Sequence, residues 1–423
     1  MIKKILTYSF GEVLVKSLSF LAIPLYSYMI LPSEYGTLGF LNALISFLPF
    51  IFTFYYLYGY VRFSVEVEDE TLISSYLFMG LLLNLFYIFG AIAFFYLFIE
   101  QYEIELKYFI LSILASSSIY IFQILQMHYR SKGYAKAYVK FSLFYALLGL
   151  SLNFIFLIIF TDNVFAMLLS SFVTSLVASL LALNILRNYF SFNKIDKKVI
   201  ITILKYTLPL VPGAIALLLF SQSDKLVLVQ YVTKEALGIY TVAFTLGLSM
   251  GYIGSAFFMG YQPIFYDKIK NGLNREIEKQ FMKNIFLILA ALVLSWIVIY
   301  TIYHFIDIKY RSGLSSALII AVSYSMITFA QMMELHLTYI KRSFLVSLVY
   351  GFGGVVTVGF LFYLVPSFGG LGASYSLFLG ALAISFMMYF VAQKYFYLNY
   401  NLLAYLFFYA VIFTLIGTLY VFQ

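Results

Sequence analysis

A chain of 423 residues that is 63% hydrophobic and only 10% charged is not an ordinary soluble globule, in which about a quarter of residues are charged. At roughly 20 apolar residues per span it holds about a dozen membrane helices and leaves no room for a separate aqueous catalytic domain. The formal charge of +8 would suggest nucleic acid in a soluble protein, but membrane proteins collect Lys and Arg in cytoplasmic loops; with no Cys and three His, disulfides, thiolate chemistry and metal clusters are also excluded.

Lys3 and Lys4 precede an apolar stretch that continues to Leu31 without a small-residue cleavage site, so it reads as a first span rather than a signal peptide. Apolar segments then recur at about 5–30, 37–61, 72–99, 106–127, 137–160, 164–186, 205–230, 236–261, 281–303, 312–337, 344–365, 370–393 and 401–421. Runs such as Leu81-Leu82-Leu83 break the alternation of an outer-membrane barrel, so the spans are helices. The expected fold is an all-α polytopic membrane protein of 12 to 13 helices.

Placing the N-terminus in the cytoplasm puts twenty of the 26 Lys and Arg on the inner side and four, Lys107, Lys234, Lys309 and Arg311, outside; Lys16 and Lys225 fall within spans. That predicts a membrane protein with its N-terminus in the cytoplasm. The acidic loop 62–71, with Glu66, Glu68, Asp69 and Glu70 against Arg62, is the one inner loop that runs against the bias. No loop is long enough to hold the external chemistry of a glycan polymerase or ligase, so no enzyme is expected.

Ser33-Glu34-Tyr35-Gly36-Thr37 after span one is echoed by Lys234-Glu235-Ala236-Leu237-Gly238-Ile239-Tyr240 after span seven. Six spans separate the two, an even number, so both halves cross in the same sense. The expectation is two six-helix lobes, 1–200 and 201–397, with an extra helix at 398–423. A pseudo-twofold axis along the membrane normal would relate the lobes around a central cavity.

Charges within spans are costly and point to function by default. Glu12 and Lys16 are four residues apart on one helical face, with Lys16 about 17 Å along span one. A structural ion pair and a cavity-lining cation both fit. Asp224 and Lys225 interrupt span seven beside Ser221 and Gln222; neighbours about 100° apart on a helix cannot both face one partner, and Lys225 is within reach of the outer headgroups. Arg62 closes span two, as an inner-boundary anchor or as a substrate contact. Glu334 and His336 read as structural. Pro24, and Pro209 with Pro212, predict bends in the leading helix of each half.

Ile23-Pro24-Leu25-Tyr26, Val61-Arg62-Phe63, Tyr129-Arg130-Ser131-Lys132-Gly133, Tyr206-Thr207-Leu208-Pro209-Leu210-Val211-Pro212 and Gln262-Pro263-Ile264-Phe265-Tyr266 occur in this order. With them the chain resembles the polysaccharide-exporter branch of the multidrug/oligosaccharidyl-lipid/polysaccharide (MOP) superfamily, in particular the Wzx-type O-antigen flippases of lipopolysaccharide biosynthesis. The resemblance implies a V-shaped pair of lobes that moves an undecaprenyl-pyrophosphate-linked oligosaccharide from the inner to the outer leaflet by alternating access. It also implies H+ or Na+ coupling in some members, and a polysaccharide polymerase and chain-length regulator as partners. By position, Lys16, Arg62, Lys225 and Gln222 would line the path, and Glu12 and Asp224 would serve ion coupling; no cofactor is expected. The alternative, from the drug-exporter side of the superfamily, is a proton or sodium antiporter for small organic cations.

Overall fold

The computed structural model describes residues 11, 14–16, 18, 20–102, 104–400 and 402–421, with no strand among them. Ten helices among the described residues are long and apolar enough to cross a membrane. One of these, Ser343–Tyr395, is two helices joined at Gly369, where φ is 52° and ψ is −128°. A side chain there would be strained, so glycine permits the sharp turn between two spans.

Helices α1 (Ile23–Met29), α2 (Pro32–Phe52), α3 (Asp69–Phe94), α4 (Leu106–Ser118), α5 (Tyr120–Ser131), α6 (Ala135–Ile159), α7 (Asn163–Leu186) and α8 (Lys197–Thr207) come first. They are followed by α9 (Val211–Tyr231), α10 (Lys234–Gly247), α11 (Ser249–Lys270), α12 (Asn274–Phe305), α13 (Leu314–Tyr339), α14 (Ser343–Tyr395) and α15 (Leu402–Val421). Contacts divide the chain into two compact units, Met1–Ser19 with Thr37–Ile215, and Phe20–Gly36 with Ala216–Gln423.

Unit 1 is built around Tyr56, Tyr60, Tyr76, Phe122, Leu125 and Ile203. Buried hydroxyls need partners: the Tyr76 hydroxyl donates to the Tyr56 carbonyl (3.3 Å), and the Tyr60 hydroxyl meets His128 Nδ1 (3.2 Å). The acids of 62–71 find cations at one end of this unit: Glu66 pairs with Arg62 (2.5 Å), Asp69 with Lys132 (2.7 Å) and Glu68 with Lys194 (3.0 Å). Between α6 and α7, Asp162 caps α7 by accepting from Phe165 N (2.9 Å), Lys107 Nζ (3.0 Å) and the Tyr108 hydroxyl (2.8 Å).

In unit 2, α13 is buried on all sides, as befits a helix that is apolar all round. His336 on it is a satisfied core histidine: Nδ1–H donates to the Met333 carbonyl (2.9 Å), which leaves Nε2 to accept from the Tyr400 hydroxyl (2.8 Å). Helix α15 packs Phe408 on Phe329 with ring centroids 5.0 Å apart, and its Tyr409 hydroxyl donates to Ser385 Oγ (2.8 Å). Residues 27–30 are tied in as well: Asp307 N donates to Ser27 Oγ (3.0 Å), and the Tyr310 hydroxyl donates to the Ile30 carbonyl (2.9 Å).

Two expectations are corrected. The span at 37–61 is not one helix. It stops at Phe52, where the Pro49 carbonyl takes both the Thr53 N–H (2.8 Å) and its Oγ1 (2.7 Å). Phe54 and Tyr55 then turn left-handed, and 3-10 and α turns cover Tyr56–Gly59 and Tyr60–Phe63. Nor do the prolines bend continuous helices. Pro24 is the second residue of α1 and Pro212 the second of α9, while Pro209 sits in the 3-10 turn Leu208–Leu210 that follows α8. Proline lacks only an N–H that a first turn leaves unpaired anyway, so these residues mark restarts.

Candidate functional site

Beside the break in span two, unit 1 encloses a cavity of about 740 Å³. Arg62 and Arg130 line it together with Gln123, Asn84 and the rings of Phe50, Tyr55, Tyr58 and Tyr206; among the described residues no Asp or Glu lines it. Helix α5 supplies Gln123, Met127 and Arg130, spaced four and three residues apart and so on one face. Its other face buries Phe122, Leu125 and His128 in the core of the unit. On the far wall, Asn84 donates to the Gly80 carbonyl (2.8 Å) and accepts from Ser117 Oγ (3.0 Å), while Tyr87 and Ser116 share a hydrogen bond of 2.6 Å.

The Arg62–Glu66 pair is half exposed, and such pairs contribute about 0–1 kcal/mol. Arg62 is therefore available to a stronger anion. The left-handed pair Phe54 (φ 54°) and Tyr55 (φ 55°) is unusual for non-glycine residues, at about 1–3 kcal/mol each. Its consequence is local: the Tyr55 and Tyr58 rings stack at 4.6 Å and 17°, with Phe50 at 4.9 Å from Tyr55.

Unit 2 holds a second polar cluster, closed where the first is open. Asp224 is 2% exposed and Lys225 4%. Asp224 Oδ2 accepts from the Tyr240 hydroxyl (2.6 Å), and its Oδ1 accepts from Lys225 N (2.8 Å) and faces Lys225 Nζ at 3.4 Å. Lys225 Nζ also lies 3.5 Å from Gln222 Oε1 and 3.5 Å from the centre of the Phe244 ring, a cation–π contact. A buried charge requires such partners. The expectation that Lys225 reaches the headgroups is overturned: its side chain is buried and folds back onto its own neighbour Asp224.

The structure thus brings Gln222, Asp224 and Lys225 together in unit 2; Arg62 belongs to unit 1. Lys16 is half-buried and partnered; Glu12 lies outside the described residues. Sequence reasoning took Arg130 for a topology marker and passed over Gln123, Tyr55 and Tyr58. Gln123 and Arg130, seven residues apart on an otherwise apolar face, carried the signal for the first two.

Ten apolar helices of spanning length mark a multi-pass membrane protein, and its fold is similar to that of solved transporters of the MOP superfamily. It is similar to the lipid II flippase MurJ in its inward closed conformation, at 12% identity over 98% of this chain and 91% of that one, with a TM-score of 0.70. It is also similar to a multidrug resistance MATE family transporter in its inward-facing (13% identity, 93% of each chain, TM-score 0.66) and outward-facing conformations (16%, 93% and 95%, 0.61). No curated protein sequence matches. The sequence model described as "Polysaccharide biosynthesis protein" matches residues 1–265, and the chain belongs to that family.

Proposed function

We propose that this protein is a flippase for a lipid-linked oligosaccharide, carrying an undecaprenyl-pyrophosphate-linked repeat unit of a surface polysaccharide from the inner to the outer leaflet of the bacterial cytoplasmic membrane. The observation that supports the reading is the unit 1 cavity, which has two arginines and no acid among its described lining residues. A pyrophosphate of about two negative charges enters hydrocarbon only at prohibitive cost, and guanidinium groups replace its water with charge-assisted, forked hydrogen bonds. The lipid tail stays in the bilayer while the head travels. Family membership and the likeness to a lipid II flippase support the same substrate class.

In this reading the end of unit 1 that carries Arg62, Lys132 and Lys194 faces the cytoplasm, and Lys16 is a further cation of the path. Asp224, held between Tyr240 and Lys225, is the acid through which an H+ or Na+ gradient would act, with Glu12 as the other. Export of organic cations, the activity of the drug-exporting relatives of this fold, calls for carboxylates in the cavity, where this chain has arginines. Cells lacking the protein are expected to lose surface polysaccharide and accumulate lipid-linked oligosaccharide. Normal surface glycan in such cells, without accumulation, would sink the reading.

A further inference from the structure

The aromatic rank in the unit 1 cavity is not explained by packing. Tyr56, Tyr60 and Tyr76 in the adjoining core are fully buried, as rings that serve only stability should be. Tyr58 is 54% exposed and lines the cavity wall beside Arg62, backed by Tyr55 in parallel stacking and, behind it, by Phe50. The backbone works to hold it there. Continuing α2 through Thr53 would carry residues 54–58 along the helix, whereas the two left-handed residues and the bonds from Tyr56 N to the Thr53 carbonyl (3.1 Å) and from Tyr58 N to the Tyr55 carbonyl (3.1 Å) fold the rings together. Strained backbone that survives in a cavity wall points to use of the group it presents.

Resting on the flippase reading above, we infer that Tyr58, backed by Tyr55, is the stacking platform for the first sugar of the substrate, the pyranose joined directly to the pyrophosphate. A pyranose has one face of C–H bonds that packs on the negative face of an aromatic ring, while its hydroxyls point sideways to hydrogen-bonding groups. The cavity offers these elements together: arginines for the diphosphate, the ring face, and Gln123 and Asn84 as amide partners. Its volume of about 740 Å³ accommodates a diphosphate and a small number of sugars rather than a long chain. Stacking tolerates any pyranose with an open C–H face, so the platform selects a glycosylated from a bare diphosphate and not one sugar from another.

The test uses the full-length protein in nanodiscs and two probes with the same tail, undecaprenyl pyrophosphate and undecaprenyl-pyrophosphoryl-N-acetylglucosamine, with affinities measured by native mass spectrometry. The wild type is expected to bind the sugar-bearing lipid about tenfold more tightly, a difference of about 1.4 kcal/mol. Tyr55→Ala/Tyr58→Ala is expected to bring the two affinities within twofold while keeping that for the bare lipid, and Tyr55→Phe/Tyr58→Phe to retain the preference. If the double alanine variant does not fold, Tyr58→Ala alone is read the same way. Equal binding of both lipids by the wild type, or a preference that survives loss of the rings, overturns the platform and leaves the flippase reading standing. Failure of the wild type to bind either lipid overturns the flippase reading itself.

Discussion

Gly36 on α2 and Gly238 on α10 meet backbone to backbone: a Cβ on Gly238 would lie 2.8 Å from Gly36 N and fall on the Pro32 carbonyl oxygen, and a Cβ on Gly36 would lie 3.2 Å from Gly238 N and fall on the carbonyl oxygen of Lys234. These are the glycines of the two echoed segments, some 200 residues apart in the chain. The repeat is therefore a physical crossing of two first turns, reinforced by the edge-to-face contact of Tyr35 with Tyr310 at 5.7 Å.

Gly36→Ala and Gly238→Ala are each expected to lower the thermal midpoint in detergent, because the added methyl meets rigid backbone and overpacking costs about 1–3 kcal/mol or more. Gly260→Ala and Gly359→Ala, where nothing lies within 4 Å of the added atom, are the controls. Both are in helices and should leave stability unchanged or raise it by about 0.4–1 kcal/mol. Equal behaviour of the two pairs would show that the crossing is not close-packed.

The Asp224–Lys225 cluster makes a sharper stability prediction. Asp224→Ala leaves an ammonium buried without its anion and is expected to cost about 3–5 kcal/mol, whereas the double change Asp224→Leu/Lys225→Met removes both charges and should lie much closer to wild type. Tyr240→Phe loses one hydrogen bond to a carboxylate, about 1.5–3 kcal/mol. A double-mutant cycle on thermal unfolding measures the coupling. Additive effects would mean that the two side chains do not interact.

Asp162 sets a pH dependence. Burial alone would raise its carboxyl, but hydrogen bonds from Phe165 N, Lys107 and Tyr108 outweigh it, and the group is held below the ordinary carboxylate range. A depressed folded pKa contributes stability that is present above the unfolded value of about 3.9 and lost as pH falls through the folded one. Asn caps helices as well as Asp, so Asp162→Asn isolates the charge. Wild type should be the more stable of the two at pH 7, and the gap should close as pH falls below about 4. A gap independent of pH would remove the charge from the account.

The all-helical class and the echo of residues 33–37 in 234–240 were legible in the sequence because each is a pattern of composition or spacing. The break at Phe52 was not, since Thr53 through Gly59 is as apolar as the helix before it and only backbone geometry distinguishes the two. Lys225 was misread for a related reason: helical wheel angles place Cβ atoms, and a four-carbon stem can turn its ammonium back on the preceding residue. Arg130 was visible but lay in a basic loop motif, where topology explains a cation equally well. The acids of 62–71 ran against the sidedness count because their partners, Lys132 and Lys194, are distant in sequence.

In the proposed function Arg62 and Arg130 carry the diphosphate of a lipid-linked sugar. The direct measurement is transbilayer movement of fluorescent undecaprenyl-pyrophosphoryl-N-acetylglucosamine in proteoliposomes containing wild type, Arg62→Ala/Arg130→Ala or Arg62→Lys/Arg130→Lys at equal protein density. Flipping is expected for the wild type, with at least a tenfold lower rate for the alanine variant and an intermediate rate for lysine, which keeps the charge but not the forked geometry. Wild-type rates in the alanine variant, or no flipping by the wild type above protein-free vesicles, would contradict it.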